Sequence, residues 1–197
     1  MRRENKQQGG GVLPPGYTQL EYIESTGTQW IEIPNYYPST SSTVSGRFKK
    51  STDLTSIFQA GKDSNRIMLL PVNSTRIDYC YGSGYKTLNV QPGDCNVGMW
   101  YDFEMDYQHL KINGNTYNKQ GVANTIPYIC LHLFSFDFGG EVNVKPNALA
   151  ELVVQDPLSH DIHLIPALRG QDSKPGLYDI VNNTFYANAG TGEFLYA

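Results

Sequence analysis

Apolar and polar residues alternate in short stretches along most of this chain, with a period of two. Ile31 and Ile33 alternate with Trp30 and Glu32. Val44, Gly46 and Phe48 alternate with Ser45 and Arg47, and Ile77, Tyr79 and Tyr81 with Arg76, Asp78 and Cys80. Successive side chains of a strand point to opposite faces, so each stretch predicts a strand with one apolar face. Residues 56–60 and 66–70 are short apolar runs between turn residues. The clearest unit is a hairpin. Tyr101, Phe103, Met105 and Tyr107 predict its core face, and Asp102, Glu104 and Asp106 its solvated face. A return strand carries Leu110 and Ile112 and turns at Asn113-Gly114, a pair suited to the positive φ angles of a type I′ turn. Further strands are predicted over 128–138, 149–154, 162–165, 178–181, 184–186 and 194–196. Residues 147–154 could be read as a helix, but the stretch is short and ends in Val153-Val154. No stretch sustains a 3.6-residue period, and no internal repeat is visible. Roughly a dozen short strands separated by turn signals predict an all-β fold, a two-sheet antiparallel sandwich or jelly roll.

Composition narrows the partners. The 197 residues suit one sandwich domain, and 40% hydrophobic with 17% charged residues is a globular balance. A net charge of −4 supplies no electrostatic reason for nucleic acid or an anionic membrane as partner. No apolar run approaches the ~20 residues of a membrane-spanning helix. Residues 1–11 lack the apolar core of a secretory signal, so synthesis in a cytoplasm is expected. The odd cysteine count (Cys80, Cys95, Cys130) and the lack of any Cys-x-x-Cys pair argue against a disulfide framework and against zinc. No cofactor or metal is expected on these grounds.

The chain divides into an arm over 1–12 and a domain over 13–197. Arg2, Arg3 and Lys6 against Glu4 leave the arm with a charge of +2, and Gly9-Gly10-Gly11 forms a flexible joint. It reads either as a loose tail or as an arm that docks on a partner.

Catalytic chemistry finds little support. Glu104 and Asp106 lie on one face of a predicted strand, and a retaining glycosidase needs two carboxyls about 5–5.5 Å apart. Gln108 stands where a further acid would be needed, and an amide cannot act as general acid. Asp102, Glu104 and Asp106 could instead hold calcium, but mid-strand carbonyls are already engaged in the ladder. His160 and His163 flank Asp161 in a predicted surface turn and face opposite sides, and His132 reads as a polar position within a strand. No Gly-x-Ser-x-Gly elbow occurs, and the cysteines lack a histidine partner in any motif. The chain is therefore expected not to be an enzyme. Sugar binding needs an exposed aromatic face beside polar groups. Tyr79, Tyr81 and Tyr85, around Gly82-Ser83-Gly84, and the pair Tyr36 and Tyr37 are the candidates for it.

Two long motifs bracket the domain. The first runs from Leu13-Pro14-Pro15-Gly16-Tyr17 through Glu24-Ser25-Thr26-Gly27-Thr28-Gln29-Trp30-Ile31. The second includes Ile165-Pro166-Ala167-Leu168-Arg169, Lys174-Pro175-Gly176-Leu177-Tyr178-Asp179-Ile180-Val181 and Asn188-Ala189-Gly190-Thr191-Gly192-Glu193-Phe194. Together they resemble the laminin-G-like, concanavalin A-like jelly-roll domains of bacteriophage virion proteins and gut-bacterial surface proteins. The resemblance implies a virion surface protein, a head-fibre, capsid-decoration or tail component, whose lectin-like domain attaches to glycans. It implies attachment to other virion proteins through Arg2, Arg3 and Lys6, and a homo-oligomer that follows particle symmetry. A carbohydrate-binding module of a bacterial cell surface and, further off, a glycoside hydrolase are the other readings. Both motifs also have a plain structural account as fold determinants, with Lys174-Pro175-Gly176 and 188–192 read as turns.

Overall fold

A computed structural model describes residues 13–62, 65–82, 86–118, 130–138 and 141–197. In chain order the strands begin with β1 (Tyr17–Gln19), β2 (Ile23–Ser25), β3 (Ile31–Ile33), β4 (Thr43–Lys50) and β5 (Phe58–Lys62). They continue with β6 (Asn65–Pro71), β7 (Arg76–Gly82), β8 (Lys86–Asn89), β9 (Trp100–Met105) and β10 (His109–Ile112). Next come β11 (Asn115–Asn118), β12 (Leu131–Leu133), β13 (Ser135–Phe138), β14 (Glu141–Val144) and β15 (Asn147–Gln155). The last are β16 (Ile162–Arg169), β17 (Lys174–Asp179), β18 (Thr184–Ala187) and β19 (Leu195–Tyr196). The described residues contain no helix.

All strand pairs are antiparallel. The larger sheet runs β11-β10-β9-β4-β15-β16-β17-β18, with β1, β2 and β19 added at its margin. The smaller sheet runs β3-β12-β5-β6-β7-β8. The chain passes repeatedly between the two, and β4 lies between β9 and β15, far apart in sequence; this is the jelly-roll-like sandwich that the alternation predicts. One core fills the space between the sheets. Phe48, Tyr101, Phe103, Leu149 and Leu152 face Ile31, Phe58, Ile67, Leu69 and Ile77 across it. Phe58 stacks on Phe103 from sheet to sheet at 6.0 Å.

Several sequence expectations need correction. The strand predicted over 128–138 is broken at Phe134, whose φ is +67°, and splits into β12 in the smaller sheet and β13 in a separate hairpin with β14. Residues 128 and 129 lie outside the described residues. Lys174-Pro175-Gly176 is not a turn but the start of β17. Pro175 sits beyond the last β18 pair, so its missing N–H breaks no bond on that side. The turn comes earlier, at Ser173, where φ is +54°. Asn113 and Gly114 both have positive φ, as a type I′ turn requires. Residues 147–155 form a strand, with a bulge between Leu149 and Glu151 opposite Phe48 and Arg47.

The two bracketing motifs meet. Ala189 N donates to Trp30 O at 2.8 Å, and Thr191 N to Thr28 O at 3.1 Å. Asn188 Oδ1 accepts from Trp30 N (3.1 Å) and Gly190 N (2.8 Å), and Gln29 Nε2 donates to Thr191 O at 3.1 Å. β19 then pairs with β2. The two motifs are thus clasped to each other by main-chain and side-chain hydrogen bonds of their own residues.

Candidate functional site

The predicted aromatic face is not formed where the sequence placed it. Tyr79 and Tyr81 share a strand face with Ile77, and that face is the inner one; both are 2% exposed. Tyr36 is buried as well, at 1%. The Tyr81 hydroxyl donates to Ser42 O, and burial pushes the phenols of both Tyr36 and Tyr81 above their ordinary range. Tyr37 is exposed (39%), but its neighbour Tyr36 points inward. Tyr85 lies outside the described residues, as do Arg2, Arg3 and Lys6. The correction has a simple cause: alternation assigns Tyr79 and Tyr81 to the apolar set of β7, and a two-sheet core has room for large rings there.

The acidic stretch also changes. β9 ends at Met105, so Asp106 belongs to the following turn and not to the strand face of Glu104. Its Oδ1 accepts from Gln108 N and His109 N, each at 2.6 Å. Burial pushes this carboxyl up, but those two N–H groups and the His109 ring outweigh it and hold it below its ordinary value. Asp102 lies 3.8 Å from Arg47 Nε, and Lys111 Nζ donates to Glu104 at 2.5 Å. Asp102 and Glu104 are therefore met by cations on neighbouring strands. His160 packs its ring edge on Tyr36, while His163 contacts Glu151 at 2.7 Å, so the two serve separate surroundings.

An aromatic and polar face does exist elsewhere. On the outer side of the larger sheet, Trp100 of β9 is the direct cross-strand neighbour of Lys49 of β4. Tyr22, just before β2, meets the Trp100 ring at 5.5 Å in an edge-on arrangement. Both rings are partly exposed. Arg47 stands 5.6 Å from the centre of the Trp100 ring, and Lys49 5.4 Å from that of Tyr22. Lys49 Nζ also donates to Glu24 Oε2 at 2.7 Å, and Ser51 Oγ to Glu24 Oε1 at 2.8 Å. Asp102, Glu151 and His163 extend the same face. A second aromatic group on this sheet, Tyr17, Tyr178 and Phe185, is centred on a buried Tyr178 and is largely closed. The Tyr22–Trp100 platform was legible only in part: Trp100 is the odd member of an apolar alternation, but Tyr22 lies almost 80 residues away along the sequence and joins it only through β2–β15–β4 pairing.

The outer face of the smaller sheet is different. Its middle, Met68, Leu70 and Cys80, is buried, with Phe136 against it. Toward β3 it becomes polar: Glu32, Cys130 and His132 gather there, beside Trp30. Burial, and then the Glu32 carboxylate, push the Cys130 thiol up to about 12; burial alone leads the rise to about 12 at Cys80 and about 11 at Cys95. None of the three is a ready thiolate at neutral pH.

No family model matches the chain, and no curated protein sequence matches it. Among solved structures, it is similar to the mouse laminin alpha1 chain, domains LG4-5, with a TM-score of 0.49 at 9% identity. The superposition covers 86% of this chain and 45% of that one, so this chain corresponds to less than half of the laminin structure.

Proposed function

We propose that this chain is a non-enzymatic, glycan-binding module displayed on a bacteriophage virion, with the ligand held on the outer face of the larger sheet. The observation that carries the reading is the Tyr22–Trp100 platform ringed by Arg47, Lys49, Glu24 and Asp102. A pyranose offers an apolar face for stacking and a rim of hydroxyls for hydrogen bonding, and this surface supplies partners for both. Arg47 and Asp102, whose side chains are 50% and 76% exposed, can exchange bound water for such hydroxyls. The virion placement is supported by the resemblance of the two bracketing motifs to virion domains and by the +2 arm; a fold does not by itself assign a function. In this reading Arg2, Arg3 and Lys6 engage other virion proteins, the module sits on the particle surface, and its oligomer follows the particle's symmetry. The net charge of −4 favours partners other than nucleic acid or anionic membrane.

The full chain is expected to bind at least one polysaccharide in an array of bacterial cell-wall glycans. Trp100→Ala should weaken that binding about tenfold or more, near 1.4 kcal/mol, while leaving the melting temperature almost unchanged. Binding to no glycan, or equal binding by the variant, would overturn the assignment of the site. Deleting residues 1–11 should abolish incorporation into particles, measured by mass spectrometry of purified virions, without loss of the β-sheet circular dichroism signal. Undiminished incorporation would remove the docking role of the arm.

A further inference from the structure

Glu32 of β3 and His132 of β12 are a direct cross-strand pair on the outer face of the smaller sheet. Cys130 lies two residues before His132 and shares its face. Cys130 Sγ is 3.2 Å from Glu32 Oε1 and 3.7 Å from His132 Nε2, and one donor atom from each of the three residues lies within 4.8 Å of the others. Tetrahedral zinc, with bonds of about 2.0–2.3 Å, places adjacent donors roughly 3.3–3.6 Å apart. Two of the observed separations already bracket that spacing. The third is within 4.8 Å, and Glu32 stands at a partly exposed position where its flexible side chain has room to adjust.

We infer that Glu32, Cys130 and His132 form a binding site for a zinc-type divalent cation. The donor set itself selects the metal: one sulfur, one imidazole nitrogen and one carboxylate suit zinc and its first-row neighbours, whereas calcium and magnesium require oxygen. On binding, the metal takes the place of the Cys130 proton, which passes to solvent, and the thiolate, carboxylate and imidazole close on one cation. The Trp30 ring, 4.9 Å from the His132 ring, holds the imidazole in place. Glu32 and His132 are pre-positioned by the ladder, since β3 and β12 are hydrogen-bonded neighbours, and Cys130 directly precedes β12. Among the described residues no further His, Cys, Asp or Glu joins the group. The site is on the opposite sheet from the Tyr22–Trp100 platform and does not depend on it.

Cobalt is the probe, because a thiolate ligand gives Co²⁺ an intense near-ultraviolet charge-transfer band and tetrahedral geometry gives strong visible bands. Co²⁺ titrated into the full chain, first dialysed against chelator, should produce both bands with a 1:1 endpoint, and Zn²⁺ should bleach them while Ca²⁺ and Mg²⁺ do not. Cys130→Ser should abolish the charge-transfer band and weaken binding at least tenfold; His132→Gln and Glu32→Gln should each weaken it similarly. Cys80→Ser, at a buried cysteine remote from the cluster, should leave the spectrum intact. Absence of the charge-transfer band in the unsubstituted protein, or its persistence in Cys130→Ser, would overturn the proposal and leave a thiol hydrogen-bonded to a carboxylate.

Discussion

Gly190→Ala should be among the most damaging single substitutions in the domain, lowering stability by about 3 kcal/mol or more. A Cβ at this position would stand 2.0 Å from Thr28 O and 2.8 Å from Cδ1 of Trp30. The first contact is with backbone, which cannot swing aside. Relieving it means drawing the 188–192 loop away from residues 28–30. That separation lengthens Ala189 N to Trp30 O and Thr191 N to Thr28 O, and it pulls Asn188 Oδ1 from Trp30 N. Each of these joins the last part of the domain to the first, so the loss is not local. For a chain of this size each kcal/mol is worth about 2–4 °C, so thermal denaturation should show a fall of roughly 6–12 °C. Ala189→Ser, one residue earlier but exposed, should cost less than about 0.5 kcal/mol. Equal melting temperatures for Gly190→Ala and the unsubstituted chain would show that the clasp does not hold the ends of the domain together.

The second large effect is expected at Asp179, which is fully buried at the end of β17. Its Oδ1 accepts from His163 N (3.1 Å), Val181 N (3.0 Å) and Asn182 N (3.3 Å), and its Oδ2 from Asn182 Nδ2 (2.7 Å). One carboxylate therefore satisfies the turn between β17 and β18 and ties it to β16. Asp179→Ala would leave these donors without an acceptor in a place that water reaches poorly, at a cost of about 3–4 kcal/mol. Asp179→Asn keeps an oxygen for the backbone donors but sets an amide N–H against Asn182 Nδ2, so it should recover part of the loss. A chemical-denaturation series should thus rank the unsubstituted chain above Asn, and Asn above Ala, with unchanged m-values. Equal stability of the Asn and Ala variants would mean that the backbone donors contribute little.

Both predictions concern residues inside the motifs that frame the chain, and they show how much of the molecule is local information. Gly190 can be picked out as part of a turn-like sequence and Asp179 as part of a motif whose 178–181 stretch reads as a strand, and the reading of both motifs as fold determinants agrees with the hydrogen bonds they stand among. What each one does is not local. Thr28, which makes Gly190 necessary, lies at the other end of the domain. The same holds for the candidate sites. Trp100 stands out in an otherwise regular alternation, but its partner Tyr22 is brought by a third strand. Cys130 and His132 are two residues apart, yet the cluster needs Glu32, supplied across a ladder whose register no spacing rule predicts. A search for Cys-x-x-Cys pairs passes over it.

The sequence by itself determined the secondary structure class, the inward faces of most strands and the Asn113-Gly114 hairpin. These depend on a two-residue period and on the φ preferences of a few side chains, which act within a few residues of chain. It also contained the assignment of Tyr79 and Tyr81 to the core, through their phase with Ile77. Only the tertiary structure decided which strands became neighbours, where the 128–138 run had to break, and which polar faces remained open. Strand order is settled by the joint packing of two sheets around one core, in which every pairing constrains the others. An outer-face site is a by-product of that pairing: its residues have no reason to be close until the ladder between β3 and β12, or between β9, β4 and β15, has set them side by side.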